Sequence, residues 1–79
     1  MTHPTPNLNG TARHSLAQHY DEARARLEHA IDAAAETAPH PRDYPCGNYE
    51  SARKEHYERV AALRRVADEF IALVERTLE

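Results

Sequence analysis

The stretch VAALRRVADEFIALVERTL, residues 60–78, decides the fold. Val60, Leu63, Ala67, Phe70 and Val74 follow one another at steps of 3, 4, 3 and 4. Apolar residues at that spacing share one side of an α-helix. Val66, Ile71, Leu73 and Leu78 lie beside this seam, so the apolar face is wider than a single partner helix covers. Neither Pro nor Gly occurs after Gly47, and a helix is predicted over 49–78. Its opening turns, YESARKEHYERV (residues 49–60), carry polar and aromatic residues where the seam would continue.

Upstream, a second helix is predicted over 12–37, a run free of Pro and Gly. Leu16, Tyr20, Ala23, Leu27, Ala30 and Ala34 form its seam, with Ile31 widening it, and charges of alternating sign fill the other faces. Thr11 stands where a side-chain oxygen can accept from the free N–H groups of the first turn. Pro39 and Pro41 end the helix. Residues 1–10 contain two prolines, two asparagines and a glycine, and read as a flexible tail. Residues 38–48 form the linker. At 1.5 Å per residue the helices are about 39 and 45 Å long.

Two long helices and one linker give an all-α, antiparallel two-helix hairpin over 11–79. Such a hairpin has no closed core. The chain has 79 residues, one Phe and no Trp, and alanine dominates its apolar residues. A domain this small stabilises itself poorly. Pairing two hairpins into a four-helix bundle would cover the spare face, so self-association is expected.

Composition narrows the function. Ten Lys and Arg against 13 Asp and Glu leave a net charge of −3, which argues against general nucleic-acid binding. A single cysteine, Cys46, excludes an internal disulfide and suits a reducing compartment. No apolar run reaches the ~18–20 residues of a membrane span, and residues 1–10 lack the apolar centre of a signal peptide. A cytoplasmic protein is expected.

Catalytic and metal constellations are not evident. The six histidines include no pair four residues apart; His14 and His19 are five apart, and His29–Asp32 is a common pairing on solvated helices. Cys46 lacks a Cys/His signature and reads as a free loop thiol. Asp21–Glu22 and Asp68–Glu69 are adjacent carboxylates on solvated faces. Two glycines cannot build a phosphate-cradling loop. No enzyme activity, metal or cofactor is expected.

The linker is different. APHPRDYPCGNYE, residues 38–50, holds three prolines, both members of an Arg42–Asp43 pair, Tyr44, Tyr49 and the cysteine. A simple reversal needs far less. With Arg53, His56 and Tyr57 in the next turns, and Tyr20 and Arg24 on the first helix, it forms an aromatic and basic set. Tyrosine faces stack on bases, and arginine forks grip phosphate. The candidate ligand residues are therefore Tyr20, Arg24, Arg42, Asp43, Tyr44, Arg53, His56 and Tyr57. The same residues have a structural reading: tyrosines pack well at a bundle end with their hydroxyls in water, and Arg42–Asp43 would pin the loop.

LNGT (residues 8–11), APHPRDYP (38–45) and ARKEHYERVAAL (52–63) resemble a group of small helical phage and prophage proteins. That group has an N-G-T helix start, an R-D-Y linker and a second helix opening with an A-x-x-E-H type sequence. Asn9, Gly10, Thr11, Arg42, Asp43, Tyr44, Gly47, Glu55 and His56 match. His40–Pro41 and Pro45–Cys46 depart from it. The resemblance implies a phage origin; small helical phage proteins often serve as anti-defence factors, so a phage-encoded anti-defence protein in the host bacterial cytoplasm is expected. It would bind and sequester a nucleotide-derived immune signal, of cyclic nucleotide or ADP-ribose type. The alternatives are an anti-CRISPR-like inhibitor of a host defence protein complex, or a structural or regulatory helical oligomer.

Overall fold

The computed structural model describes Thr2 and residues 10–79, the side chain of Thr11 excepted. Two helices, α1 (Gly10–Ala35) and α2 (Tyr49–Leu78), pack against each other as a hairpin, with a short 3-10 helix, Pro41–Asp43, between them. The tail expected over 1–10 lies outside the described residues apart from Thr2 and Gly10, and Gly10 already begins α1. The capping side chain of Thr11 lies outside them as well. The second helix has the expected bounds. Among the described residues, no helix is long and apolar enough to cross a membrane.

α1 ends two residues earlier than expected. The N–H groups of Glu36, Thr37 and Ala38 donate to the carbonyls of Ala33, Ala34 and Ala35, three residues back, so the last turn tightens. Thr37 Oγ1 adds a bond of 2.6 Å to the Ala34 carbonyl. Pro39 enforces the stop, because its ring disfavours helical geometry at Ala38. The chain re-enters a turn at His40, whose Nδ1 accepts from the Arg42 N–H at 3.2 Å, with Pro41 pre-set for the first helical position.

A last turn delivers the chain to α2. The Gly47 N–H donates to the Tyr44 carbonyl at 3.3 Å, with Pro45 at the turn's second position. Gly47 has φ +90, where a Cβ would strain the backbone although nothing lies within 4 Å of its place. Gly47→Ala is therefore expected to cost about 1 kcal/mol by conformation alone, lowering the melting temperature by about 4–8 °C. Thermal unfolding followed by circular dichroism tests this, and an unchanged midpoint would show that the turn adapts.

Three contacts fix the antiparallel register. Arg13 donates to the Glu79 carbonyl at 3.4 Å, the rings of Tyr20 and Phe70 lie 6.1 Å apart, and Arg64 pairs with Glu28 at 3.7 Å. On α2 the contact seam is the expected one, Val60, Leu63, Ala67, Phe70 and Val74, extended at its two ends by the buried His56 and Thr77. On α1 the structure corrects the expectation. The buried residues are Ala17 and Ile31, while Ala30 is exposed. Tyr20, Leu27 and Ala34 of the expected seam and the flanking Ile31 stay in the contact stripe, while Ala17 and Arg24 join it and the positions at 16, 23 and 30 lie to one side. Arg24 takes the central seam position because Asp21 and Glu28 neutralise its guanidinium and its stem is apolar.

The core is thin. Among the described residues the buried apolar ones are Ala17, Ile31 and Ala67, and no large side chain is fully buried. The radius of gyration is 17.7 Å, against about 12 Å for a compact domain of this length.

Candidate functional site at the linker end

The expected ligand residues fall into two groups. Tyr20 and Arg24 sit on α1 about 22 and 17 Å along the helix from its end at Ala35. Within one chain they do not join the linker. Tyr20 packs its ring at 45° on Phe70. Arg24 donates to Asp21 Oδ1 at 2.8 Å and to Glu28 Oε2, so its donors are engaged. The hydrogen bond from Arg24 holds the Asp21 carboxyl below its ordinary range, and the same bond raises the guanidinium pKa. Arg26 does the same to Glu22 one turn away.

The remaining six surround the hairpin tip. The 3-10 helix carries Arg42 and Asp43, both exposed. Among the described residues neither side chain forms an ion pair, so Asp43 does not orient Arg42 as the pairing in sequence suggests. Tyr44 is half-buried, its ring 6.5 Å from that of Tyr49 and tilted by 53°. Arg53 lies 5.3 Å from the centroid of the Tyr57 ring, a cation–π contact, and reaches Glu50 at 3.4 Å. Tyr57 is 60% exposed.

His56 is withdrawn from this surface. It is 6% exposed, its ring meets the edge of Tyr57 at 5.7 Å, and its Nδ1 is buried without a hydrogen-bond partner. The register places it opposite the last turn of α1. It occupies the seam position that an apolar residue fills elsewhere in α2, which makes it a packing residue and not a surface contact. His56→Leu removes the orphaned polar atom. It is expected to stabilise the hairpin by about 1 kcal/mol, a rise of about 4–8 °C in melting temperature. A fall would show that His56 makes a polar contact needed for the fold.

Tyr49 belongs to the tip although the expected ligand set omits it. The available signal was the spacing of four from Tyr49 to Arg53 to Tyr57, which places three large π or cationic groups along one flank of α2. Each has a flat face that can stack on a planar ligand, and Arg42 and Arg53 bring fork-shaped cations to the same end.

The opposite end of the hairpin holds an open groove of about 350 Å³ lined by His14, Ala17, Gln18, Ala25, Val74 and Leu78, among others. None of the expected ligand residues lines it. Cys46 is an exposed free thiol at the tip. Among the described residues no three His, Cys, Asp or Glu side chains group as a metal site. No protein-family model, curated protein or solved structure matches the chain.

Proposed function

We propose that this protein is a self-associating, non-catalytic binding module whose linker end takes up a nucleotide-derived ligand. In the setting that the resemblance to phage proteins implies, it sequesters an immune signal of cyclic nucleotide or ADP-ribose type in the host cytoplasm. One observation carries the reading. The hairpin tip presents Tyr44, Tyr49 and Tyr57 together with Arg53 and an Arg42 whose guanidinium has no ion-pair partner among the described residues. Stacking on a base and charge-assisted bonds to phosphate use these groups without further chemistry.

Self-association follows from the thin core. A hairpin with three buried apolar residues among those described, two of them alanine, leaves its large apolar side chains half in water. Tyr20 and Arg24 then serve the fold of each chain, and the ligand set contracts to the tip.

Native mass spectrometry of protein purified from phage-infected, defence-bearing cells tests the reading. The expected spectrum shows an oligomer carrying a small-molecule mass that is released intact on denaturation. Co-purification of a host protein with no retained nucleotide would replace the reading with direct inhibition. Calorimetry with cyclic dinucleotides and ADP-ribose derivatives provides the second readout, and no heat with any of them would remove the nucleotide.

A further inference from the structure

The two broad faces of the hairpin differ. Residues that directly follow a seam position turn toward one face, and residues that directly precede one turn toward the other, because the helices run antiparallel and each residue advances by about 100°. The Glu28–Arg64 pair and the groove of His14, Gln18, Ala25 and Leu78 mark the first face. Tyr57, Ile71 and Leu78 lie on it, but Asp21, Glu28 and Arg64 stand at the positions nearest the seam and Asp32, Asp68 and Glu75 beyond them, so charge interrupts its apolar residues. The second face carries Leu16, Ala23 and Ala30 on α1, and Ala62, Val66 and Leu73 on α2. Of its charged residues Arg26, Glu55, Glu69 and Arg76 stand farther from the seam, and Arg59 lies near the linker end. Val66 is 36% exposed, Ala30 is exposed, and Leu16 and Leu73 are half-buried although all lie within helices.

From this we infer that the second face is where two copies of the chain pack, about a two-fold axis parallel to the helices, so that both linkers lie at the same end. The inference rests on the self-association proposed above and adds the surface and the orientation. The occupant is a second copy because of area and shape. The face is as long as α1, about 39 Å, and the hairpin is 20 Å across. That is about 800 Å² per partner, the size of a stable protein interface. The fold also needs this cover whenever it exists, and another copy is the one partner always present.

Side-chain size sets the orientation. α1 offers small residues, Ala23 and Ala30, where α2 offers large ones, Val66 and Leu73. In the parallel arrangement α1 of one copy lies antiparallel on α2 of the other, in the same register as within the hairpin. Val66 then enters between Ala23 and Leu27, and Leu73 between Leu16 and Ala23, filling holes with knobs. The opposite orientation stacks alanines on alanines and Val66 and Leu73 on themselves, leaving one pair of helices crowded when the other is in contact. Parallel packing also brings the two tips to the same end, with Tyr44 and Arg42 of both copies side by side.

The native Cys46 reports this directly, since it is the only cysteine and lies exposed at the tip. Full-length protein at micromolar concentration, treated with a bis-maleimide of about 15 Å reach, is expected to give a covalent dimer in high yield, with urea abolishing it. Parallel tips lie about 10–20 Å apart, while the opposite orientation separates them by a helix length of about 39 Å. Alongside, Val66→Glu is expected to weaken the dimer at least 100-fold in sedimentation equilibrium, and Ala25→Glu on the groove face to leave it intact. Circular dichroism of Val66→Glu at high concentration distinguishes a helical monomer from an unfolded chain; in either case the loss of the dimer relative to Ala25→Glu supports the face. A monomeric unmodified chain overturns both this inference and the proposed self-association. A dimer that resists Val66→Glu, or that fails to cross-link through Cys46, overturns the inference alone.

Discussion

Phe70→Asp is expected to leave the chain unfolded at room temperature. Phe70 stands at the centre of the α2 seam, and its ring meets Tyr20 across the hairpin at 6.1 Å. It is the only phenylalanine in the protein. Truncating a packed Phe costs about 3–5 kcal/mol, and a carboxylate in its place adds the cost of desolvating a charge. A chain of this length has about 4–12 kcal/mol of stability in total. With only Ala17, Ile31 and Ala67 buried among its described apolar residues, this protein falls toward the low end of that range, so one substitution removes most of it. Far-UV circular dichroism should show lost helicity and no cooperative melt. Phe70→Leu keeps the apolar contact and should retain the fold with a lower midpoint. A Phe70→Asp protein that melts within a few degrees of the parent would show that the two helices are held together elsewhere.

The largest effect on binding is expected from Arg42→Ala. Its backbone N–H bonds to His40 Nδ1, and that bond survives the substitution. Its side chain is exposed, so the melting temperature should move by no more than about 2–4 °C, as for other surface changes. Nucleotide affinity should fall about 5- to 150-fold, the range for losing a contact worth about 1–3 kcal/mol. Tyr44→Ala should lose binding by a similar factor, but it also gives up the ring contact with Tyr49 and therefore some stability. The pair of variants separates a ligand site from a clasp that locks the hairpin end. If the tip is a clasp, Arg42→Ala destabilises as much as Tyr44→Ala, and any loss of binding follows unfolding. Calorimetry with thermal melts on the same samples tells the two apart.

Legibility in sequence followed the range of the interaction. Helix ends depend on neighbours a few residues away. The bounds of α2 and the stop imposed by Pro39 were therefore readable, and the end of α1 differed only where Thr37 and the i−3 bonds tightened the last turn. The aromatic and basic character of the tip was readable for the same reason. Which of the expected residues the fold engages or buries was not. Tyr20 and Arg24 looked available because nothing local shows that Phe70 and the flanking carboxylates occupy them. His56 looked like a surface ligand because its burial depends on α1 lying across it.

The amino-acid sequence by itself determined two long helices, their antiparallel pairing through a long linker, and a thin core. Those properties come from composition and spacing within each helix. Which side of α1 meets α2 was decided only by tertiary packing. Heptad spacing recurs at 16, 23 and 30 and again at 17, 24 and 31, and the first stripe is the more apolar because the second contains Arg24. Periodicity in one helix sets an interval and leaves the phase to the partner. Phe70 sets that phase by accepting the ring of Tyr20, while Asp21 and Glu28 take up the charge of Arg24. The choice leaves the more apolar stripe facing outward.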